Sequence, residues 1–196
     1  VATARIGVLG GTFDPIHHGH LVVASEVSSV LDLDRVLIVP TAAQPFKDPR
    51  GPAAGDHRVT MCRLAVAGDP RFEVSTVDVD RGGTTFTIDT LRDLSREYPG
   101  ATLFFIAGAD ALARFSDWRD SSLLPELATF VAVTRPGHSM AALPGPFEVV
   151  EAPGLDVSST DVRRRVGEGR PIRYLVPQPV ADYIDEHDLY SGGRDD

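Results

Sequence analysis

The chain has 196 residues and a formal charge of −9, with 42% hydrophobic and 24% charged residues. Such a charge excludes a general nucleic-acid surface, which needs cations to displace counterions from phosphates, and it excludes docking on an anionic membrane. The composition is that of a globular protein rather than a disordered one, and its 18 glycines and 15 prolines predict many tight loops.

No apolar stretch approaches the roughly 20 residues of a membrane span, and the start of the chain lacks the apolar core and cleavage site of a signal peptide. The single cysteine, Cys62, excludes an internal disulfide and a Cys-rich metal centre. Its neighbours Val59, Met61, Leu64 and Ala65 make it a core thiol. These features predict a cytoplasmic protein with one domain over residues 1–190 and a flexible tail at 191–196.

In chain order, Arg5–Leu9 is a short apolar run closed by Gly10 and Gly11, the pattern of a buried strand. From His18 to Leu31, apolar residues at Leu21, Val22, Ala24, Val27, Val30 and Leu31 recur at helical spacing. Arg35–Val39 predicts a second strand, stopped by Pro40. A polar, proline-rich loop then runs to about Gly55, and a helix to about Ala67. Phe72–Val77 reads as a third strand and Thr87–Tyr98 as a helix ended by Pro99 and Gly100. Thr102–Ala107 is another buried strand. Leu123–Ala128 predicts a short helix, and Thr129–Val133 and Phe147–Val150 two further strands. Strands alternating with helices, and apolar along nearly their whole length, predict an α/β protein with a doubly wound, Rossmann-like parallel sheet.

Open parallel sheets bind ligands outside the carboxyl ends of their strands, where the strand order reverses. The loop after the first strand is therefore the first place to look for chemistry. Gly10–His20 reads GGTFDPIHHGH; it fits neither GxGxxG nor a Walker loop, since the chain has no Gly-Lys dipeptide. A glycine-loosened backbone feeding a helix N-terminus favours an anion. His17 and His20, three apart, share one face of the first turn. Their N–H groups can donate to phosphate oxygens, and a protonated ring would add charge. A metal site is the competing reading of His17, His18 and His20. No further Asp, Glu or Cys ligand set is evident nearby, so no protein-bound metal is expected.

A second candidate lies at Ser158–Arg163, SSTDVR. Hydroxyl residues before Val162 and Val166 suit a helix start, and Ser158-x-x-Asp161 has the form of a capping box. Arg163, Arg164 and Arg165 near that start oppose the helix dipole, which an anion bound there would explain. Of the three, Arg163 is expected to point inward. The acidic total is concentrated elsewhere: residues 182–196 hold six acids against one arginine, whereas 156–173 hold five arginines against three acids. Local field rather than net charge governs binding in a cleft.

The segment ending His17-His18-Gly19-His20 is similar to the HxGH signature of a nucleotidyltransferase superfamily, and Ser158–Arg163 is similar to its SSTxxR signature. The pair makes sense only in a nucleotidyltransferase-type fold that converges both on one site. From Ile6 to about Tyr190 the chain resembles the bacterial nicotinate-nucleotide adenylyltransferases in particular. Arg81–Leu91 is similar to that family's Ser-Tyr-Thr-x-x-Thr-Leu region. Phe104–Asp110 resembles its Gly-Ala-Asp segment, with Trp118 following, and Thr134–Gly137 its Arg-Pro-Gly turn.

The resemblance implies adenylyl transfer from ATP to nicotinate mononucleotide, giving nicotinate adenine dinucleotide and pyrophosphate in NAD biosynthesis, with Mg²⁺ accompanying ATP. It implies catalytic roles for His17, His20, Lys47 and Arg163. Gly10, Gly11, Thr12, Phe13, His17 and His20 would hold the phosphates of ATP from one side, and Ser158, Ser159, Thr160 and Arg163 from the other. Gly108 and Asp110 would meet the adenosine ribose. The nicotinate nucleotide would be taken by Thr12, Lys47, Thr87, Trp118, Arg119 and Arg135, with Thr87 and Trp118 framing the pyridine ring. Two residues depart from the pattern: Phe46 stands where many relatives have histidine, and Phe86 where tyrosine is usual.

Sister enzymes, a phosphopantetheine adenylyltransferase or a cytidylyltransferase, share the two phosphate motifs but need neither Trp118 nor the Thr87 segment. A sensor that binds ATP without turnover is a further reading. An NAD-binding oxidoreductase is disfavoured by the missing GxGxxG. A homo-oligomer is left open.

Overall fold

A computed structural model describes residues 3–42, 53–134 and 145–191. The apolar runs form strands β1 (Arg5–Gly11), β2 (Arg35–Pro40), β3 (Phe72–Val74), β4 (Thr102–Gly108), β5 (Thr129–Thr134) and β6 (Glu148–Glu151). They make one sheet in the order β3-β2-β1-β4-β5-β6, with every pair parallel. Successive side chains of a strand point to opposite faces. Val36, Ile38, Phe104, Ile106 and Val131 accordingly enter one apolar cluster, and Leu37, Val39, Leu103, Phe105 and Phe130 the other. Both faces are covered, which is why these strands read as continuous apolar runs instead of alternating ones.

Helices α1 (His18–Val30), α2 (Gly55–Val66), α7 (Ser159–Gly167) and α8 (Gln178–Glu186) pack on the first face through Ala24, Val27, Met61, Val162, Val180 and Ile184. Cys62 is fully buried there, and burial pushes its thiol pKa up, so it is an inert core residue. Helices α4 (Thr87–Glu97) and α6 (Leu124–Leu127) cover the second face through Ile88, Leu91, Leu94 and Leu124. Gly7, in the middle of β1, lets the first face close. A Cβ at that position would lie 2.9 Å from Leu33 Cδ1, 3.1 Å from Val36 Cγ2 and 3.2 Å from Ile106 Cδ1.

The structure differs from the sequence expectation around Val77. β3 ends at Val74, one more backbone bond forms from Ser75 N to Ile38 O at 3.0 Å, and the chain then turns into α3 (Val77–Arg81). The turn buries Asp78, which accepts from Thr90 Oγ1 at 2.8 Å and pairs with Arg81. Helix α5 (Ala109–Leu112) and the 3₁₀ turn Phe115–Asp117 were not expected either. Elements this short do not complete the two turns that make helical periodicity visible in a sequence.

The chain winds outward through β1, β2 and β3, then crosses to place β4 on the other side of β1. The loops after β1 and β4 therefore leave the sheet at its switch point, the place where open parallel sheets bind ligands. No helix among the described residues is long and apolar enough to cross a membrane.

Candidate active site

The loop from Thr12 to His17 leaves β1 at this switch point. Its start is set by main-chain bonding: Thr41 N, just past β2, donates to Gly11 O at 2.9 Å. Phe13 then takes a left-handed conformation with φ of 48°, which is uncommon for a residue with a side chain and has to be held by its surroundings. The Phe13 ring is almost completely buried and meets His20 edge-on, with centroids 4.9 Å apart.

His17 caps the start of α1 with extended backbone, and His20 lies in the first turn. Their rings stack with centroids 3.7 Å apart and planes inclined by 21°, as the three-residue spacing predicts. His17 N donates to His20 Nδ1 at 3.2 Å, so the neutral His20 ring carries its proton on Nε2, as a donor. Burial, and secondarily the like charge of His18, lowers the His17 pKa to about 4. His17 is thus neutral at physiological pH, and the added charge of a protonated ring is not available from it. The helix start is also less open to an anion than expected, because His18 N already donates to Leu175 O at 3.0 Å.

Ser158 caps α7 as predicted, its Oγ accepting from Asp161 N at 3.1 Å. The reciprocal half of a capping box does not form: the Asp161 carboxylate pairs with Arg164 and Arg165. Those two arginines fall in the last turn of α7, where cations suit the helix dipole. They therefore call for no bound anion, contrary to the sequence argument. Arg163 does turn inward. Its Nη1 donates to Asp14 O at 2.6 Å, while Ser159 Oγ donates to Pro15 O at 2.8 Å. Thr160 Oγ1 lies 3.4 Å from Arg163 Nη2. The second motif thus grips the backbone of the first loop across more than 140 residues of sequence.

Gly108 ends β4 and caps α5, with Asp110 in its first turn. The Asp110 carboxylate folds back over Gly108, where a Cβ would stand only 2.5 Å from Asp110 Oδ1. A side chain at Gly108 would push that carboxylate aside, and the exposed carboxylate hangs over the end of the strand next to β1.

On the opposite side, Phe105 lies 3.7 Å from the Cβ position of Gly10 and meets Trp118 edge-on at 5.9 Å. Trp118 is half-buried against Phe105, Phe115 and Phe130, so it closes the second core cluster while part of the residue stays accessible. Arg119 lies over the Phe86 ring at 4.6 Å and 3.7 Å from Asp89. Phe86, the residue that departs from the family tyrosine, therefore serves as a cation-binding face. Thr87 opens α4 beside it, half-buried. Lys47, Phe46 and Arg135 lie outside the described residues.

Four site residues escaped the sequence reading. Arg58 is buried in α2, and its guanidinium bridges the loops after β1 and β2, donating to Thr12 O at 2.7 Å and to Ala42 O at 3.3 Å. Asp14 is buried and accepts from Tyr190 Oη at 2.6 Å. Thr41 is buried, and its hydroxyl, like that of Thr12, meets no hydrogen-bond partner among the described residues. Nothing in the local sequence of Arg58 or Tyr190 signals these contacts. Asp14 lay inside a motif whose histidines drew attention first.

No group of three or more His, Cys, Asp or Glu side chains among the described residues could hold a metal ion. The groups gathered at the switch-point loop are mostly hydrogen-bond donors and arginine cations, with Asp14 and Asp110 as the carboxylates beside them.

A parallel sheet in this order, with its switch-point loop clasped by a second, hydroxyl- and arginine-bearing helix start, is the fold of a nucleotidyltransferase. The Cytidylyltransferase-like family matches residues 8–165. The chain is 55% identical over 189 residues, 95% of its length, to a Clavibacter michiganensis protein named "Probable nicotinate-nucleotide adenylyltransferase", covering 94% of that protein. A Streptomyces coelicolor protein of the same name is 54% identical over 187 residues, 94% of this chain and all of that one. Among solved structures, Plasmodium falciparum nicotinic acid mononucleotide adenylyltransferase complexed with NaAD shares the fold with a TM-score of 0.78 at 20% identity, covering 97% of this chain and 98% of that one. The chain belongs to the nicotinate-nucleotide adenylyltransferase family, within the cytidylyltransferase-like group.

Proposed function

We propose that the protein transfers the adenylyl group of ATP to nicotinate mononucleotide, releasing pyrophosphate and forming nicotinate adenine dinucleotide. The observation that carries this reading is the junction of the two phosphate motifs, through Arg163 on Asp14 O and Ser159 on Pro15 O, at the switch point of the sheet. The nucleophile is a phosphate already ionised at neutral pH, so no general base is assigned. Catalysis rests on alignment of the two substrates and on donors that stabilise charge on the leaving pyrophosphate.

In this reading the His20 Nε2 proton, Arg163 and the hydroxyls of Ser159 and Thr160 face the phosphates of ATP, with Lys47 near the reacting phosphorus. His17 works as a neutral, stacked support for His20. Gly108 and Asp110 take the adenosine ribose. Thr87, Trp118, Arg119 and Arg135 take the nicotinate nucleotide, the pyridine ring lying against the accessible part of Trp118. Mg²⁺ would arrive on the phosphate oxygens of ATP and add charge neutralisation, with no protein cage of its own. The single sheet supports treating residues 1–190 as one catalytic unit, and a cytoplasmic setting belongs to the same proposal.

Initial-rate measurements of pyrophosphate release, with ATP and either nicotinate or nicotinamide mononucleotide, test it. The expected result is a kcat/KM preference for the nicotinate form. Preference for the amide, or turnover only with phosphopantetheine or a CTP-dependent acceptor, would overturn the assignment.

A further inference from the structure

The loop from Thr12 to His17 carries one residue held from two directions at once. Asp14 gives its main-chain oxygen to Arg163 and one carboxylate oxygen to Tyr190 Oη, and it is 3% exposed. Tyr190 comes from the turn after α8 and is aimed back into the molecule. Asp188 and Tyr190 both adopt left-handed backbone, with φ of 50° and 62°, and the turn closes through Leu189 N to Ile184 O at 3.0 Å. The partly buried Leu189 and Tyr190 side chains pack on the same apolar cluster as Phe13 and Ile16. Arg163 and Arg58 both lie close enough to Tyr190 for their charges to act on its hydroxyl.

Arg163 bonds the main-chain oxygen of the same residue whose carboxylate Tyr190 meets, so a second arrangement lies close at hand. A charge-assisted pair between the Asp14 carboxylate and Arg163 would be stronger than the bond Arg163 makes to a neutral carbonyl. Such a pair would draw the guanidinium off the main-chain oxygen, and the loop backbone at Phe13, in its left-handed conformation, would lose the hold of Arg163 on the next residue.

We infer that Tyr190 is a positioning residue of the nucleotide site: by bonding one oxygen of the Asp14 carboxylate it orients that group away from Arg163, which stays on the loop backbone and turned toward the phosphates of ATP. This inference rests on the proposed reading that Arg163 meets those phosphates. It assigns to the segment after α8 a part in ATP affinity and none in binding the nicotinate nucleotide, which lies on the Trp118 side.

The test is a double-mutant cycle of Tyr190→Phe and Asp14→Asn, read by pyrophosphate release as separate KM values for ATP and nicotinate mononucleotide, with urea midpoints measured in parallel. Tyr190→Phe keeps the ring in the core and removes only the hydroxyl. It is expected to raise the ATP KM about 10-fold, on the scale of a hydrogen bond to a charged group, and to leave the nicotinate-nucleotide KM unchanged. In the Asp14→Asn background, where no carboxylate competes for Arg163, Tyr190→Phe is expected to change the ATP KM less than about 2-fold.

An unchanged ATP KM, an equal rise in both KM values, or a full effect persisting without the Asp14 carboxylate would overturn the inference. A loss of activity that merely follows the folded fraction would overturn it too. Absence of turnover by the unmodified protein would instead strike the functional reading itself.

Discussion

The buried His17 makes a quantitative prediction about stability and pH. Its pKa is about 4 in the folded protein against 6.5 for an ordinary histidine, because burial disfavours the cation and His18 adds like charge. Between these values the unfolded chain binds a proton at this position that the folded chain does not, so stability falls as the pH drops from about 6.5 to about 4. At about 1.36 kcal/mol per pH unit the full effect is roughly 3 kcal/mol, of which roughly 2 kcal/mol is already lost at pH 5. For a chain of this size that corresponds to a fall in Tm of about 4–8 °C between pH 7.5 and pH 5.

Other groups titrate in the same range, so the measurement is a difference. Thermal or urea unfolding of the wild type and of His17→Gln should be followed at several pH values from 7.5 to 4. The variant lacks the ionisable ring, and its stability should decline less on acidification by the amounts given. Parallel pH profiles for the two proteins would refute the reasoning, because they would mean that His17 takes up its proton equally in the folded and unfolded states.

Three further outcomes follow from the geometry. Gly7→Ala places a methyl group against Leu33, Val36 and Ile106 in the middle of the sheet; overpacking of this kind should cost about 1–3 kcal/mol in urea unfolding. His20→Ala should lower kcat for pyrophosphate release by roughly 10²–10³-fold, the scale for one donor on developing charge, without altering the far-ultraviolet circular dichroism. Trp118→Leu should raise the KM for nicotinate mononucleotide about 10-fold and leave that for ATP within about 2-fold. The loss is of the order of one aromatic stacking interaction, and an equal rise in both constants would place Trp118 in the core alone.

The sequence by itself determined the class of fold and singled out the two motifs that the structure brings together. Continuous apolar runs such as Arg35–Val39 and Thr102–Ala107 read as strands buried on both faces, and the structure forms β2 and β4 there. The spacing of His17 and His20 put both rings on one helical face, and Ser158 announced a cap that forms as expected. These are local properties, set by backbone periodicity and by groups within a few residues of each other.

Only the tertiary structure decided what connects the two motifs and what charge they carry. Arg163 and Ser159 reach the loop through space, Arg58 bridges two strand ends, and Tyr190 finds Asp14 across most of the chain. The arginine run that looked like an anion site in sequence became, at the far end of a nine-residue helix, a set of ordinary ion pairs for Arg164 and Arg165. His17 could have been a cation on sequence grounds and is a neutral ring because the fold buries it. Burial, helix length and the meeting of distant backbone atoms are products of packing the whole chain, and no window of residues contains them.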